Sequence, residues 1–136
     1  MIKLNELIRD KVGLLTTKYK TNDPFKLMDA LDIEFVEAPL GRLLGCYIPL
    51  WGTKCIFLNS DIEDQYMRLV VVAHELGHSL LHAEVNCSFL KKYTPFSKNT
   101  KNTYEREANI FAAELLGCSF DQITVAELPT LIELNL

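Results

Sequence analysis

Residues 70–82, "VVVAHELGHSLLH", constrain this chain more than any other stretch: they place all three of its histidines and a glutamate inside a segment otherwise built of Val, Leu, Ala, Gly and Ser. The surrounding pattern reads as one long helix from about Ile62 to Ala83. At about 100° per residue, His74, Glu75, His78 and His82 fall within one stripe, and the rest of the circumference is almost all apolar. A helix that is apolar nearly all round is buried. Burying imidazoles and a carboxylate without partners costs several kcal/mol, so a fold containing this helix must supply something for the stripe to bind.

The rest of the chain supplies elements of both kinds. Residues 3–20 set Leu4, Leu7, Ile8, Val12, Leu15 and Tyr19 at helical spacing, and "NDPFKLMDALD" offers Asp23 as N-cap with Pro24 at the first helical position. "IEFVEA" alternates like a strand. "LLGCYIPL" and "KCIFLNS" read as a hairpin turning through "WGT" with Gly52 inside it, and Pro49 implies that the first of these strands lies at an edge or ends early. "EVNCSFLKKYTPFSKNTKN" lacks a period and reads as a loop. "TYEREANIFAAELLGCS" reads as a helix with Thr103 as N-cap and Gly117 as C-cap, and the tail after it has no assignable pattern. The expectation is an α+β fold in which residues 1–136 form a single domain, a length able to bury roughly two thirds of its unfolded surface.

Composition removes several function classes. A net charge of −4 and a pI near 5.3 give no basic footprint for nucleic acid. No apolar run is long enough to span a bilayer, and "MIKLNELIRDKV" lacks the layout of a signal peptide, so a cytoplasmic location is expected. Cys46, Cys55, Cys87 and Cys118 form no C-x-x-C pair and are expected as reduced thiols.

A divalent metal would compensate the buried stripe. Side chains at i and i+4 lie about 6 Å apart on one helix face, so His74 and His78 can converge on one ion. Glu75 is then directed at the open coordination position, where it can take a proton from water and return it to a leaving amine. This is the H-E-x-x-H arrangement of zinc peptidases, written here as "HELGH". His82 lies about 12 Å along the axis from His74, too far to share the ion, and is expected as a group behind the ligands, in the substrate cleft, or at the polar end of the helix. The third ligand is sought on the second helix. With Tyr104, Ala108, Phe111, Ala112 and Leu115 as its buried face, Glu105 points inward, while Glu107 and Glu114 fall on a solvated flank. Asn109 shares the stripe of Glu105 and can hydrogen-bond a histidine ligand. His82, Tyr93 and Tyr104 are candidates for the donor that stabilises an oxyanion.

"HELGHSLLH" followed by "EREANIFAAELL", with "LGCYIPLWGTKCIFLNSDI" ahead of both, resembles the ImmA/IrrE family of metallopeptidases across roughly residues 35–117. The resemblance implies a small zincin-like, gluzincin-type domain holding one Zn²⁺ through His74, His78 and Glu105, with Glu75 as general base and acid. It also implies a protein substrate, typically a helix-turn-helix repressor of a phage, mobile element or toxin–antitoxin operon. The chain departs from the family after "AAELL", where "GCSFDQ" replaces a common Leu-Met-Pro or Leu-Ile-Pro step. On the residues alone we expect an extended substrate to add beside the strand around Lys54–Leu58. The rival reading is a non-catalytic zinc-containing binding module, an antitoxin or sensor, against which the intact Glu75 argues.

Overall fold

The computed structural model describes residues 3–90 and 102–118, which form four helices and a mixed four-stranded sheet. In chain order these are α1 (Leu4–Tyr19), α2 (Pro24–Ala30), β1 (Glu34–Ala38), β2 (Leu43–Leu50), β3 (Thr53–Asn59), α3 (Gln65–Leu81), β4 (Cys87–Leu90) and α4 (Thr103–Leu116). The α+β expectation holds. None of the helices among the described residues is long and apolar enough to cross a membrane.

Local chemistry accounts for most boundaries. Asp23 accepts a hydrogen bond from the Phe25 amide at 2.9 Å, and Pro24 opens α2 where no N–H is needed. β2 and β3 meet through Trp51 and Gly52, with φ of 46° and 82°, a two-residue turn whose hand matches the twist of a hairpin. α3 starts later than its apolar pattern suggests, because Asp64 caps it by accepting from the Met67 amide at 2.7 Å. α4 is capped by Asn102 rather than Thr103: the Asn102 side chain accepts from the amides of both Tyr104 and Glu105. Gly117 closes α4 in the left-handed conformation, φ 66°.

The strand order is β1-β3-β2-β4, with β1 parallel to β3 and the other pairs antiparallel. Three expectations fail here. β4 lies inside the stretch read as a loop, because four residues pairing with β2 give too short a pattern to detect among Asn, Ser and Lys. β2 is consequently an inner strand. Pro49 is tolerated because β4 covers β2 only from Leu43 to Tyr47, leaving that side open beyond it. β3 is paired on both sides, so no substrate strand can add beside Lys54–Leu58. Cys46 faces Phe57 across the hairpin and Cys55 faces Ile48, and the cysteines among the described residues are free thiols.

α3 lies across the sheet and is clamped from the other side by α4. Gly45 on β2 allows the closest approach: a Cβ there would stand 2.7 Å from the Phe57 carbonyl oxygen and 2.9 Å from Val71 Cγ1. On the opposite face, Gly77 meets the Phe111 ring, which would lie 3.1 Å from a Cβ. The core joins Leu44, Tyr47, Ile56 and Leu58 of the sheet to Val70–Ala73 and Leu76 of α3 and Phe111, Ala112 and Leu115 of α4. α1 contributes Ile8 and Val12, while Leu4 and Leu7 stay about half exposed, so its buried face is narrower than its apolar pattern.

Candidate metal centre

The stripe that the sequence left uncompensated is entirely buried: His74, Glu75 and His78 have no exposure, and Glu105 has 4%. α4 brings Glu105 to the stripe, as its inward position on that helix predicts. One Glu105 oxygen lies 2.8 Å from His74 Nε2 and the other 3.1 Å from His78 Nε2, and the two Nε2 atoms are 3.1 Å apart. Two ligands of one tetrahedral zinc ion, each about 2.0–2.1 Å from it, stand roughly 3.3 Å apart.

The tautomers follow from the outer partners. His74 Nδ1 is 2.7 Å from Asn109 Oδ1, a carbonyl oxygen that can only accept, so Nδ1 carries the proton and Nε2 presents its lone pair. The expected Asn109 contact is therefore in place. His78 Nδ1 is 2.9 Å from His82 Nδ1, and His82 Nε2 is 2.9 Å from Glu107 Oε1. Two imidazole lone pairs and a carboxylate thus converge within hydrogen-bond distance among buried side chains. Three acceptors in that arrangement repel one another unless a cation lies among them. His74, His78 and Glu105 can therefore hold a divalent metal, and the ligand atoms of His74, Glu75 and His78 also lie within 4.8 Å of one another.

Glu75 is the second half of the site. Both of its carboxylate oxygens are buried without a hydrogen-bond partner among the described residues. Burial first, and the nearby charge of Glu105 second, push its proton affinity well above the usual carboxylate range. Burial lowers His74 to about 4, overriding the opposing pull of Glu105, which keeps its imidazole neutral near pH 7. Burial alone would raise Glu105, but the imidazoles of His74 and His78 beside it bring it down to about 2 and hold it ionised.

The remaining sequence candidates are placed as follows. His82 is the C-cap of α3, outside the regular helix, with φ −131° and ψ 47°, and it is 7% exposed. Both of its nitrogens are engaged, so it has no free N–H for an oxyanion. Tyr104 is 46% exposed rather than part of the buried face, and its ring stacks on His82 at 4.4 Å between centroids. Tyr93 lies outside the described residues. Glu107 was expected on a solvated flank, but its side chain is 17% exposed and accepts from His82. The signal for it is the third histidine itself, since a buried imidazole needs an acceptor. Glu114 keeps its flank position and pairs with Arg9 of α1 at 3.3 Å. No sequence signal pointed to Phe89 of β4, whose ring lies 3.6 Å from that of His74 and walls the site.

Comparison with known proteins agrees with this architecture. A family model described as the IrrE N-terminal-like domain matches residues 28–116. The chain is 40% identical over 111 residues to an uncharacterized immunity region protein 2 of Bacillus phage phi105, an alignment covering 81% of this chain and 68% of that protein. It is 31% identical over 111 residues to the metallopeptidase ImmA of Bacillus subtilis strain 168, covering 80% of this chain and 62% of the relative. The chain thus spans about two thirds of the length of these relatives. With the matched model, the relatives and the buried histidine–carboxylate cluster in agreement, this chain belongs to the ImmA/IrrE family of metallopeptidases.

Proposed function

We propose that this chain is a zinc-dependent endopeptidase that cleaves a regulatory protein, with His74, His78 and Glu105 holding one ion and Glu75 acting as general base and acid. One observation carries the reading: an unpartnered buried carboxylate, Glu75, stands beside three converging acceptors. A structural site would leave no such group unpaired. When bound, zinc supplies Lewis acidity toward the scissile carbonyl and toward water. Glu75 would accept the proton of the attacking water and deliver it to the leaving amine. Asn109 fixes the ring of His74, and Phe89 and the apolar side chains around α3 exclude bulk water. Among the described strands the free edges belong to β1 and β4, and β4 is the one that touches the site through Phe89, so an extended substrate segment is placed along β4. Tyr104, half exposed over His82, is the described candidate for the oxyanion donor.

The substrate we propose is a helix-turn-helix repressor encoded in the same operon. The printed name of the phage relative, an immunity region protein, supports this choice, and a net charge of −4 complements a basic DNA-binding partner. Incubating the zinc-loaded chain with candidate co-encoded repressors tests it. Cleavage by wild type, with Glu75→Gln binding the repressor but leaving it intact, is the expected result. A stable complex that wild type never cleaves would turn the reading into the binding module.

A further inference from the structure

We infer that Glu107 and His82 form a positioning dyad for His78, a directed chain of two hydrogen bonds that keeps the Nε2 lone pair of His78 aimed at the metal centre. This rests on the reading that His78 is a zinc ligand. The direction of the chain is set at its outer end. A carboxylate oxygen accepts, so His82 Nε2–H donates to Glu107 Oε1 at 2.9 Å. His82 Nδ1 is then a bare acceptor, and the ring nitrogen 2.9 Å from it, His78 Nδ1, must be the donor. His78 Nε2 is left unprotonated, 3.1 Å from both His74 Nε2 and Glu105 Oε1. The opposite polarity would put a proton on Nε2, at the position the ion needs.

The fold holds this relay from several sides. Because His82 leaves the helical conformation at the C-cap, its ring turns back onto His78, with centroids 5.1 Å apart, while Tyr104 stacks on it at 4.4 Å. The following residue is tethered by Tyr47, whose hydroxyl donates to the Ala83 carbonyl at 2.6 Å. The first ligand is fixed by a single amide, Asn109, whereas the second is fixed through an intervening imidazole by a residue on the same helix, α4. His78, His82 and Cys87 also stand close enough to bind an ion of their own. In the dyad their donor atoms are used otherwise, the imidazoles toward each other and the Cys87 thiol toward the Val85 carbonyl at 3.5 Å, and the zinc stoichiometry below separates the two arrangements.

The test is zinc affinity by competition with a chromophoric chelator, together with two-bond ¹H–¹⁵N spectra of the histidine rings, for wild type, Glu107→Gln, His82→Phe and the control Glu114→Gln. Wild type should bind one zinc with His78 protonated at Nδ1 and His82 at Nε2. Glu107→Gln, which preserves shape, and His82→Phe should each weaken zinc by about 10- to 100-fold with an unchanged circular dichroism spectrum, and Glu114→Gln should match wild type. Tight zinc binding by wild type with equal affinity in Glu107→Gln would overturn the dyad alone. Two zinc ions per wild-type chain would overturn it in favour of the Cys87 cluster. No zinc bound to wild type would overturn the metal centre and the dyad together.

Discussion

The two edges of the polar stripe on α3 handle buried polarity in opposite ways. On the side facing α4, His74, His78 and His82 each find partners in Glu105, Asn109 or Glu107. On the side facing β2, Glu75 lies against Gly45 with both oxygens unpaired. A group whose bonds are all made is held in place, and one whose bonds are unmade is left reactive. Adjacent residues of one stripe thus differ in their bonding, with the Glu75 carboxylate still within 4.8 Å of the nitrogens of His74 and His78.

The largest expected effect comes from breaking the paired side. His74→Ala or Glu105→Ala should abolish stoichiometric zinc binding, measured by mass spectrometry of metal per chain, and any cleavage with it. Zinc retained without Glu105 would mean the acceptors converge for another reason. Glu75→Gln sharpens the contrast, because it should keep the metal while lowering cleavage by about 10²–10⁴-fold. The same substitution removes the cost of ionising a buried carboxyl, so as pH is raised the metal-free Glu75→Gln chain should melt progressively higher than wild type, by on the order of 1–3 kcal/mol in stability. An unchanged melting temperature would show that Glu75 is satisfied in solution.

A smaller effect is expected at the floor of the reactive side. Gly45→Ala forces a methyl group against the Phe57 carbonyl and Val71, and should cost about 1–3 kcal/mol by urea denaturation while also disturbing Glu75. Acid should act mainly on the paired side. His74, lowered from 6.5 to about 4 in the fold, contributes stability that is full above pH 6.5 and is lost as pH falls through 4. Glu105, lowered from 4.5 to about 2, loses its contribution between those values. Both slopes have the same sign, so the urea midpoint of the metal-free chain should fall steadily below pH 6.5. A midpoint flat down to pH 4 would place a charged imidazole at position 74. Least of all, Trp51→Ala at the fully exposed hairpin tip should change stability by less than about 0.5 kcal/mol.

Periodicity made much of this molecule legible in advance. α1, α2, the hairpin, α3 and α4 each carry a repeat or a cap strong enough to read, and helix geometry alone selected Glu105 over Glu114. What stayed hidden depends on contacts between segments distant in sequence. β4 is four residues long and exists because β2 had a free side. Glu107 faces inward because the C-cap geometry of His82 brings an imidazole to it, and no helical wheel for α4 contains that information. The burial of Phe89 against His74 likewise follows from β4 and not from any pattern around residue 89.

The last turn of α3 carries one further consequence. Lys54 of β3 donates to the Ser79 carbonyl at 2.6 Å, Lys11 of α1 to the Leu80 carbonyl at 3.2 Å, and Tyr47 of β2 to Ala83. Helix ends ordinarily fray, opening and closing independently of the rest of a protein. Here fraying would require three separate elements to let go at once. The amides from His78 to His82 should therefore exchange with deuterium only as fast as the whole chain unfolds, and the rings of His78 and His82 keep their mutual register for as long.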